Sequence, residues 1–349
     1  MGKHIKEYER YMIESWLKDG MKVKDIAQRL GKHYNTIYYE IKKGLTEQLV
    51  NNWSDKTELV YFADVAQRIT NERGQNKGRD LKIGNDYALA DYIEHLIKDM
   101  RYSPYAVVQS IKKKGCFTMD ICETTLYNYI DNGLFLNISN KNLPIKGNRK
   151  QKHDKVIVKR PSSKKPPEKS IENRPKEIRN RDTYGHWEMD TVYSGKGKDK
   201  SKCCLLVLTE RMTLDEYVIK MPDRTLPSTV KALDRLERSM GYKAFTERFK
   251  TITADNGSEF GNAESIERST TRKGKKRTTV YFCHPYSSYE RGSNENQNKL
   301  VRRWIPKGDD IGNHSPEEIR FIQDWINEYP RKKYNGMSAN EYKATNGIA

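Results

Sequence analysis

The chain has 349 residues, and its 65 lysines and arginines outnumber its 47 aspartates and glutamates, for a formal net charge of +18. This length allows two or three domains with at least one full core, and the charge favours a polyanionic partner, most commonly nucleic acid. No apolar run reaches the roughly 20 residues that span a bilayer, and no amino-terminal segment is typical of a secretory signal, so we expect a cytosolic protein with no membrane partner. The five cysteines form no Cys-x-x-Cys pair, which argues against structural zinc and a disulfide framework.

Three short helices are predicted in residues 1–45. They cover residues 6–18, 23–30 and 35–43, with Asn35 as the N-cap of the third. Ala27, Gly31 and Ile37 stand where a helix-turn-helix needs a small residue, a turn glycine and a core residue; an ordinary three-helix bundle is the alternative. In a helix-turn-helix the third helix enters the major groove, while lysines meet phosphates. The predicted groove residues are His33, Tyr34, Asn35, Thr36 and Tyr39, and the predicted phosphate contacts are Lys32, Lys42 and Lys43.

Residues 46–84 are expected to connect this domain to a second helical domain at 85–145. The connecting segment is polar and irregular, with one possible helix at 58–68. Three helices are predicted in the second domain, at 85–98, from Ser103-Pro104 to Gly115, and at 122–131. They suggest a second helix-turn-helix with a plain helical spacer as an equal alternative, and its outward residues are Thr124, Thr125 and Asn128.

Residues 146–181 have the composition of a linker. They contain 14 lysines and arginines, four acids and four prolines, so the segment cannot bury enough apolar surface to fold alone. We expect it to lie along DNA phosphates, and a solvated hinge is the alternative.

Residues 182–349 change to the pattern of a mixed α/β domain. Strands are predicted at 184–193, 203–209, 215–221, 248–254 and 279–283, and helices at 227–240, 293–304 and 315–329. Asp190 and Asp255 fall on separate strands, and Glu295 lies near the start of a helix. Such hard oxygen ligands suit Mg²⁺ or Mn²⁺. Two ions about 3.5 to 4 Å apart can support an in-line displacement at phosphorus.

Three motifs resemble those of the insertion sequence thirty family of bacterial transposases. They are GHWEMDTV at 185–192, DNGSEF at 255–260 and HPYSSYERGSNENQN at 284–298; IPKG at 305–308 and PRKKYN at 330–335 are also similar. The resemblance implies an α/β fold with a ribonuclease-H-like mixed-sheet catalytic domain, preceded by all-α helix-turn-helix domains. It makes Asp190, Asp255 and Glu295 an Asp-Asp-Glu triad that holds two Mg²⁺ or Mn²⁺ ions.

The same resemblance implies the reaction and its partners. Members of this family bind the terminal inverted repeats of their element through the helix-turn-helix, cleave there, and join the 3′ ends to target DNA. Paired ends imply a homo-oligomer, a dimer or higher, and the expected location is the bacterial cytoplasm, at the nucleoid. A DNA-binding regulator that no longer catalyses and a plain nuclease of the same fold are the alternative functions.

The position of the third carboxylate leaves a choice. Between Asp255 and Glu295 lie 39 residues, more than is usual in the family, and a basic surface insertion at 269–277 accounts for the excess. Glu290 is nearer the usual spacing. Glu295 is preferred because Asn294, Asn298 and Lys299 surround it on a helix that can approach the cleaved strand. Glu188 and Glu259 are weaker rivals, structural roles are preferred for His186 and Trp187, and Arg302 and Arg303 either hold phosphates or lie on a solvated helix face.

Overall fold

The structure, a computed structural model, describes residues 4–50, 56–75, 81–117, 120–144, 166–194, 200–285 and 287–348. The chain forms two compact units, Met1–Gly84 and Asn85–Ala349. Most of the predicted linker, residues 146–165, lies outside the described residues. In the part of the chain that is described, no helix is long and apolar enough to cross a membrane.

The first unit is a helical domain that also contains a hairpin. Its helices are α1 Glu7–Lys18, α2 Val23–Arg29, α3 Tyr34–Gly44 and α4 Ala63–Gln75, and strands β1 Leu45–Leu49 and β2 Thr57–Tyr61 pair antiparallel. Ile13, Ile26 and Ile37 are fully buried between the helices. Helix α3 begins one residue earlier than predicted, because the His33 ring, rather than the Asn35 side chain, caps it by accepting a hydrogen bond from the Asn35 N–H at 3.2 Å.

The prediction for the connecting segment is wrong in two respects. The segment forms the hairpin rather than an irregular stretch, and its helix covers 63–75 rather than 58–68. The strands show no apolar alternation, because β1 and most of β2 are solvent-exposed. What holds the segment is its end, where Tyr61, Ala63 and Ala66 are buried in the core of the unit.

The second unit opens with the three predicted helices, α5 Tyr87–Lys98, α6 Pro104–Lys114 and α7 Glu123–Asp131. Ser103 caps α6, and Gly115 ends it in the left-handed conformation, with φ of 62°. These helices are attached to the carboxy-terminal part of the unit. The Trp325 Nε1 donates to the Met100 carbonyl at 2.9 Å, and the Tyr102 ring lies edge-on to Trp325 and Tyr329.

A five-stranded mixed sheet forms the centre of the second unit. Its strands are β3 His186–Tyr193, β4 Cys204–Glu210, β5 Glu216–Met221, β6 Thr251–Ala254 and β7 Thr279–Phe282, in the order β5-β4-β3-β6-β7. The first three strands pair antiparallel, and β3, β6 and β7 run parallel. This mixed sheet matches the expected ribonuclease-H-like core. Strand β6 is shorter than predicted because helix α9, Tyr242–Arg248, occupies the residues before it.

Helices cover both faces of the sheet. Trp187 and Met189 of β3 point into the apolar core under α8 Leu226–Met240, α9 and α10 Ala263–Glu267, whereas Glu188 and Asp190 bond to α11 Gly292–Trp304 on the opposite face. Helix α12, Pro316–Glu328, covers the free edge of β5, where Asn327 and Gln323 accept from backbone N–H groups, each at 2.9 Å. Helix α13 is Ala339–Thr345.

Residues 166–181 are not a solvated linker. Ile171 and Ile178 are buried, Ser170 bridges to Phe282 of β7, and Arg174 Nη1 donates to Thr253 Oγ1 at 3.0 Å. Two isoleucines spaced seven residues apart are too sparse to signal packing in a basic, proline-rich stretch. The sheet supplies the partners that the segment lacks by itself.

Candidate active site and nucleic-acid interface

Asp190 and Asp255 lie side by side at one end of the sheet. The parallel register of β3 and β6 pairs Glu188 with Thr253, so its continuation by two residues sets the two aspartates on adjacent strands. Backbone N–H groups orient both carboxylates, with Thr191 donating to Asp190 at 2.9 Å and Gly257 donating to Asp255 at 2.8 Å. A Cβ at Gly257 would lie 2.5 Å from Glu259 Oε2 and 2.9 Å from Asp255 Oδ1, so a larger residue there would displace one of these carboxylates. The carboxylates are thus preorganised and partly open to solvent.

Arg291 joins the two aspartates. Its Nη1 lies 3.3 Å from Asp190 Oδ1 and its Nη2 lies 3.1 Å from Asp255 Oδ2, while Nη1 also donates to the Met189 carbonyl at 3.0 Å. Burial favours a lower pKa for Arg291, but the two carboxylates outweigh it and leave the pKa above its ordinary value. Sequence reasoning did not include Arg291 among the site residues. The available signal was its place four residues before Glu295, at the start of a helix.

Helix α11 is bonded to β3 through two residues on one of its faces. Asn298 Nδ2 donates to Asp190 Oδ2 at 2.8 Å, and the Asn294 N–H donates to Glu188 Oε2 at 3.0 Å. Glu188 is fully buried and ion-paired with Arg211, so it anchors the first turn of α11 and is not available as a metal ligand. The expectation that Asn294 and Asn298 approach DNA is not met in this arrangement: Asn294 is 1% exposed and Asn298 orients Asp190.

Glu295 lies on the solvent side of the same helix. Its side chain is 62% exposed and its Oε1 is 3.5 Å from Lys299 Nζ. In the helix it precedes Asn298 by three residues, a spacing at which side chains are neighbours, and Arg291 is the N-cap residue of the same helix. Within the described ranges, however, no three acidic, histidine or cysteine side chains are placed to hold one metal ion. The structure therefore brings Asp190 and Asp255 together and leaves Glu295 on the exposed side of α11, paired with Lys299.

The other glutamates have different partners. Glu290 accepts from the His284 N–H at 2.9 Å and lies 2.7 Å from His284 Nδ1, and this hydrogen bond raises the pKa of His284. Glu259 is buried, 2.5 Å from Arg224 Nε and 2.8 Å from the Thr191 hydroxyl. Both residues therefore brace loops around the site.

The donor atoms fit a divalent cation. Asp190 and Asp255 present hard carboxylate oxygens, and they already share one positive group, the Arg291 guanidinium. Side-chain atoms of Asn294 and Asn298 are also buried without a hydrogen-bond partner among the residues that the structure describes, as expected where a further ligand or water completes a site.

Four neighbouring residues have structural roles. Trp187 stacks on Phe249 and donates to the Arg248 carbonyl at 2.7 Å, while burial lowers the pKa of His186 to about 4. Arg302 donates to the Tyr193 carbonyl at 2.9 Å, and Arg303 donates to the Arg101 carbonyl and the Tyr329 hydroxyl, each at 3.0 Å. Neither predicted role of the two arginines, holding phosphates or lying on a solvated helix face, matches these contacts, because Arg302 satisfies a carbonyl at the end of β3 and Arg303 one in the loop before α6.

The candidate recognition helix, α3, shows most of its predicted groove residues to solvent. His33, Tyr34, Asn35, Tyr39 and Lys42 are exposed and Thr36 is half-buried. Sequence reasoning missed Tyr38, which is 47% exposed and stacked on Tyr34 with ring centroids 6.2 Å apart. An exposed aromatic one turn after a predicted groove residue was the signal.

Two of the predicted phosphate contacts are bonded inside the unit instead. Lys43 Nζ is 2.8 Å from Glu40 and 3.1 Å from Thr70, and Lys32 Nζ is 3.7 Å from Glu9. Glu40 is itself buried against Arg10 at 2.7 Å, which links α3 to α1. Lys43 is therefore part of the fold, because it adds a second partner to the Arg10–Glu40 pair and also donates to the Thr70 hydroxyl.

In the second helical segment, α7 has an exposed face at the predicted positions. Thr124 and Asn128, one turn apart, are exposed. Thr125 is half-buried, with its hydroxyl 3.1 Å from Cys122 Sγ. The face offers polar side chains at helical spacing, which suits a groove but does not identify one.

Comparison with known proteins gives two family matches. A family described as a helix-turn-helix domain matches residues 1–44, and one described as an integrase core domain matches residues 181–288. A simian T-cell lymphotropic virus intasome, solved in complex with PP2A regulatory subunit B56 gamma, is 15% identical, with a TM-score of 0.34 over 45% of this chain and 52% of that chain, a likeness too weak to bear on function.

Three relatives are insertion-sequence proteins. The probable transposase for insertion-like sequence element IS1161 of Streptococcus salivarius is 35% identical over 97% of this chain and 93% of its own. The transposase for insertion sequence element IS4351 of Bacteroides fragilis is 30% identical over 98% and 95%. Transposase InsI for insertion sequence element IS30A of Escherichia coli (strain K12) is 30% identical over 46% of this chain and 38% of its own. The first two similarities run through both matched domains.

Proposed function

The chain belongs to the insertion-sequence transposases, DNA-cutting and strand-transfer enzymes of the Asp-Asp-Glu integrase-like superfamily, and from that premise we propose that Asp190, Asp255 and Glu295 are its catalytic carboxylates. The single observation that carries the assignment is the Arg291 guanidinium between Asp190 and Asp255. Two carboxylates that share one cation in the folded chain are spaced to share another.

Glu295 is the third carboxylate that the surroundings favour. It lies on α11 between the two residues that touch the aspartates, Arg291 and Asn298, and its carboxylate is exposed. Glu290 is the rival on sequence spacing, but both of its oxygens are bonded to His284. Freeing Glu290 would uncouple the loop that carries it, whereas Glu295 needs only to leave a surface ion pair, which costs about 1 kcal/mol or less.

Enzymes of this family generally use a divalent metal ion, and we assign two Mg²⁺ or Mn²⁺ ions to Asp190, Asp255 and Glu295. When bound, such ions activate the attacking oxygen and stabilise the leaving oxygen of the phosphodiester. The protein's own contribution is positioning. The Thr191 and Gly257 N–H groups and Asn298 orient the aspartates, and Glu188 holds the first turn of α11 against β3.

The helix-turn-helix domain binds DNA, and we propose that α3 reads the terminal inverted repeats of the element. Base contacts come from the exposed groove residues His33, Tyr34, Asn35 and Tyr39, with Thr36, while Lys42 meets a phosphate. The exposed residues Thr124 and Asn128 of α7 are a second contact surface. Cleavage at the repeats is followed by joining of the 3′ ends to target DNA, by a dimer or higher oligomer that pairs two ends at the bacterial nucleoid.

The test uses labelled ends of the element with and without Mg²⁺, scoring nicking, joining and binding. Asp190→Asn, Asp255→Asn and Glu295→Gln should each reduce nicking and joining about 10³-fold, since several kcal/mol of charge stabilisation is lost, and leave binding to the repeats intact. Glu290→Gln is the matched control and should retain activity. Normal nicking by Glu295→Gln with loss in Glu290→Gln would move the third ligand to Glu290.

A DNA-binding regulator without catalysis is not favoured by the comparisons. The same assay separates it from an enzyme, because a regulator binds the repeats and neither nicks nor joins them. Nicking without joining under all conditions would instead indicate a plain nuclease.

A further inference from the structure

The basic insertion before β7 forms, with α8, a positively charged ridge on the layer of the sheet opposite α11. Three cations of the ridge lie on one face of α8 at helical spacing, and four lie in and beside the insertion. All seven are exposed: Lys231, Arg235, Arg238, Arg268, Arg272, Lys273 and Lys275. We propose that this basic ridge binds the phosphates of the target DNA duplex, a proposal that rests on the proposed transposase function.

The insertion is fastened to α8 by a buried ion cluster. Arg277, 1% exposed, places Nη1 2.6 Å from Asp234 and 3.3 Å from Glu237, and its Nε donates to the Ile266 carbonyl at 2.8 Å. The Thr270 N–H and the Thr271 hydroxyl donate to Glu237 at 2.9 and 2.6 Å. A surface insertion that served only as added length would need no such anchor, because loops lengthen at little thermodynamic cost.

The anchor also keeps negative charge away from the ridge. Asp234, Glu237 and Glu267 lie beneath it, and all three are buried and paired with cations. Glu264 of α10 is an exposed acid in the adjoining segment. The tip of the insertion, Arg272 to Lys275, is a tight turn in which Gly274 has φ of 73° and the Lys275 carbonyl accepts from the Ser269 N–H at 2.9 Å. The cations at the tip of the insertion therefore lie on a turn that is fixed by hydrogen bonds.

The chemistry of the ridge suits phosphates rather than bases. Its exposed charged side chains are lysine and arginine, and the polar residues of the insertion, Ser269, Thr270 and Thr271, are bonded to Glu237 or to Arg238. Such a surface contacts the backbone without reading sequence. On α8 the ridge extends about 10 Å from Lys231 to Arg238, a length that spans about three phosphates of one DNA strand. Because α3 is assigned to the repeats, the DNA whose sequence is not read is the target duplex. A second copy of the chain does not suit the ridge, because it would bring like charge against it.

The test compares the triple variant Arg272→Glu, Lys273→Glu, Lys275→Glu with a charge-retaining control, Arg272→Lys, Lys273→Arg, Lys275→Arg, both in the full-length chain. Pre-nicked repeat ends are joined to increasing concentrations of a random-sequence duplex at several salt concentrations. In the Glu variant the half-saturating target concentration should rise at least about tenfold near 0.1 M salt, because each phosphate contact contributes up to roughly eightfold there. The log-log slope of its target-DNA affinity against salt concentration should become shallower by two to three.

Nicking of the element's own end needs no target and should be unchanged in both variants. Equal target dependence in the Glu variant and the control would overturn the proposal, and loss of nicking together with joining would place the element's end, rather than the target, on the ridge and overturn the assignment as well. If the unsubstituted protein neither nicks nor joins, the proposed function fails; the salt-dependent affinity of the two variants for the random duplex still decides whether the ridge binds DNA.

Discussion

Replacing Arg291 with glutamine should destabilise the second unit in the absence of divalent cations. Arg291 is 11% exposed and its two carboxylate partners are 25% and 34% exposed, so the ion pairs are neither fully buried nor on the open surface. Exposed pairs contribute up to about 1 kcal/mol, and breaking a buried pair costs about 3 to 5. We expect the free energy of unfolding to fall by about 2 to 3 kcal/mol, leaving Asp190 and Asp255 to repel each other.

For a unit of this size, that loss corresponds to a melting temperature about 4 to 10 °C lower. Addition of Mn²⁺ should then raise the melting temperature of Arg291→Gln more than that of the unsubstituted protein, because no guanidinium has to leave the carboxylates. The measurement is differential scanning calorimetry with and without Mn²⁺. Arg320→Gln, which removes an exposed arginine of α12, is the control and should shift melting by less than about 2 °C.

Equal melting temperatures for Arg291→Gln and the control without Mn²⁺ would refute the idea that the guanidinium holds the aspartates together. Equal responses to Mn²⁺ would refute the idea that it occupies the place of a metal ion. Arg291→Lys retains the charge but not the fork that bridges two carboxylates, so it should show an intermediate loss.

Two further predictions concern other charged groups. The hydrogen bond from Glu290 raises the pKa of His284, so the stability that this pair adds to the fold is fully present below the ordinary histidine pKa and is lost as pH rises through the raised value. Glu290→Gln should return the pKa of His284 toward its ordinary value in an NMR titration. An unchanged pKa would contradict this. Lys42→Gln should lower the log-log salt slope of DNA binding by about one without changing melting, whereas Lys43→Gln should lower the melting temperature and leave that slope unchanged; the opposite pattern would return Lys43 to the DNA interface.

Local patterns predicted the elements that carry strong periodicity or capping signals. Helix α6 begins at Ser103-Pro104 and ends at Gly115 as expected, because an N-cap hydroxyl, a first-turn proline and a left-handed glycine act within one turn of the chain. Strand β4 was recognisable as a continuous apolar run, since a central strand is buried on both faces. The β1–β2 hairpin carried no such signal, because its strands pair with each other and are largely exposed, with only Tyr61 at the end of β2 buried.

Some residues of the candidate site were likewise predictable from local sequence, and others were not. Asp190 and Asp255 were identifiable because each stands in a distinctive motif, Asp190 within β3 and Asp255 directly after β6, and these two strands are parallel neighbours. Arg291 was missed although it stands four residues before Glu295, since its partners lie 101 and 36 residues away in sequence. Asn298 was predicted on the right helix as a DNA contact, and its hydrogen bond to Asp190 was missed, because sequence does not specify how α11 is rotated about its own axis.

The amino-acid order alone indicated the family and the helix-turn-helix, since each rests on residue types at short fixed spacings within motifs, and it made Asp190, Asp255 and Glu295 the candidate acids. The pairing of Arg291 with both aspartates, the burial of Glu188 beneath α11 and the internal bonding of Lys43 and Arg303 came from the folded chain. A charged side chain on a helix can serve solvent, DNA or a buried partner equally well by local rules. Which of these it meets depends on the element packed against it, and that is a property of contacts between distant segments.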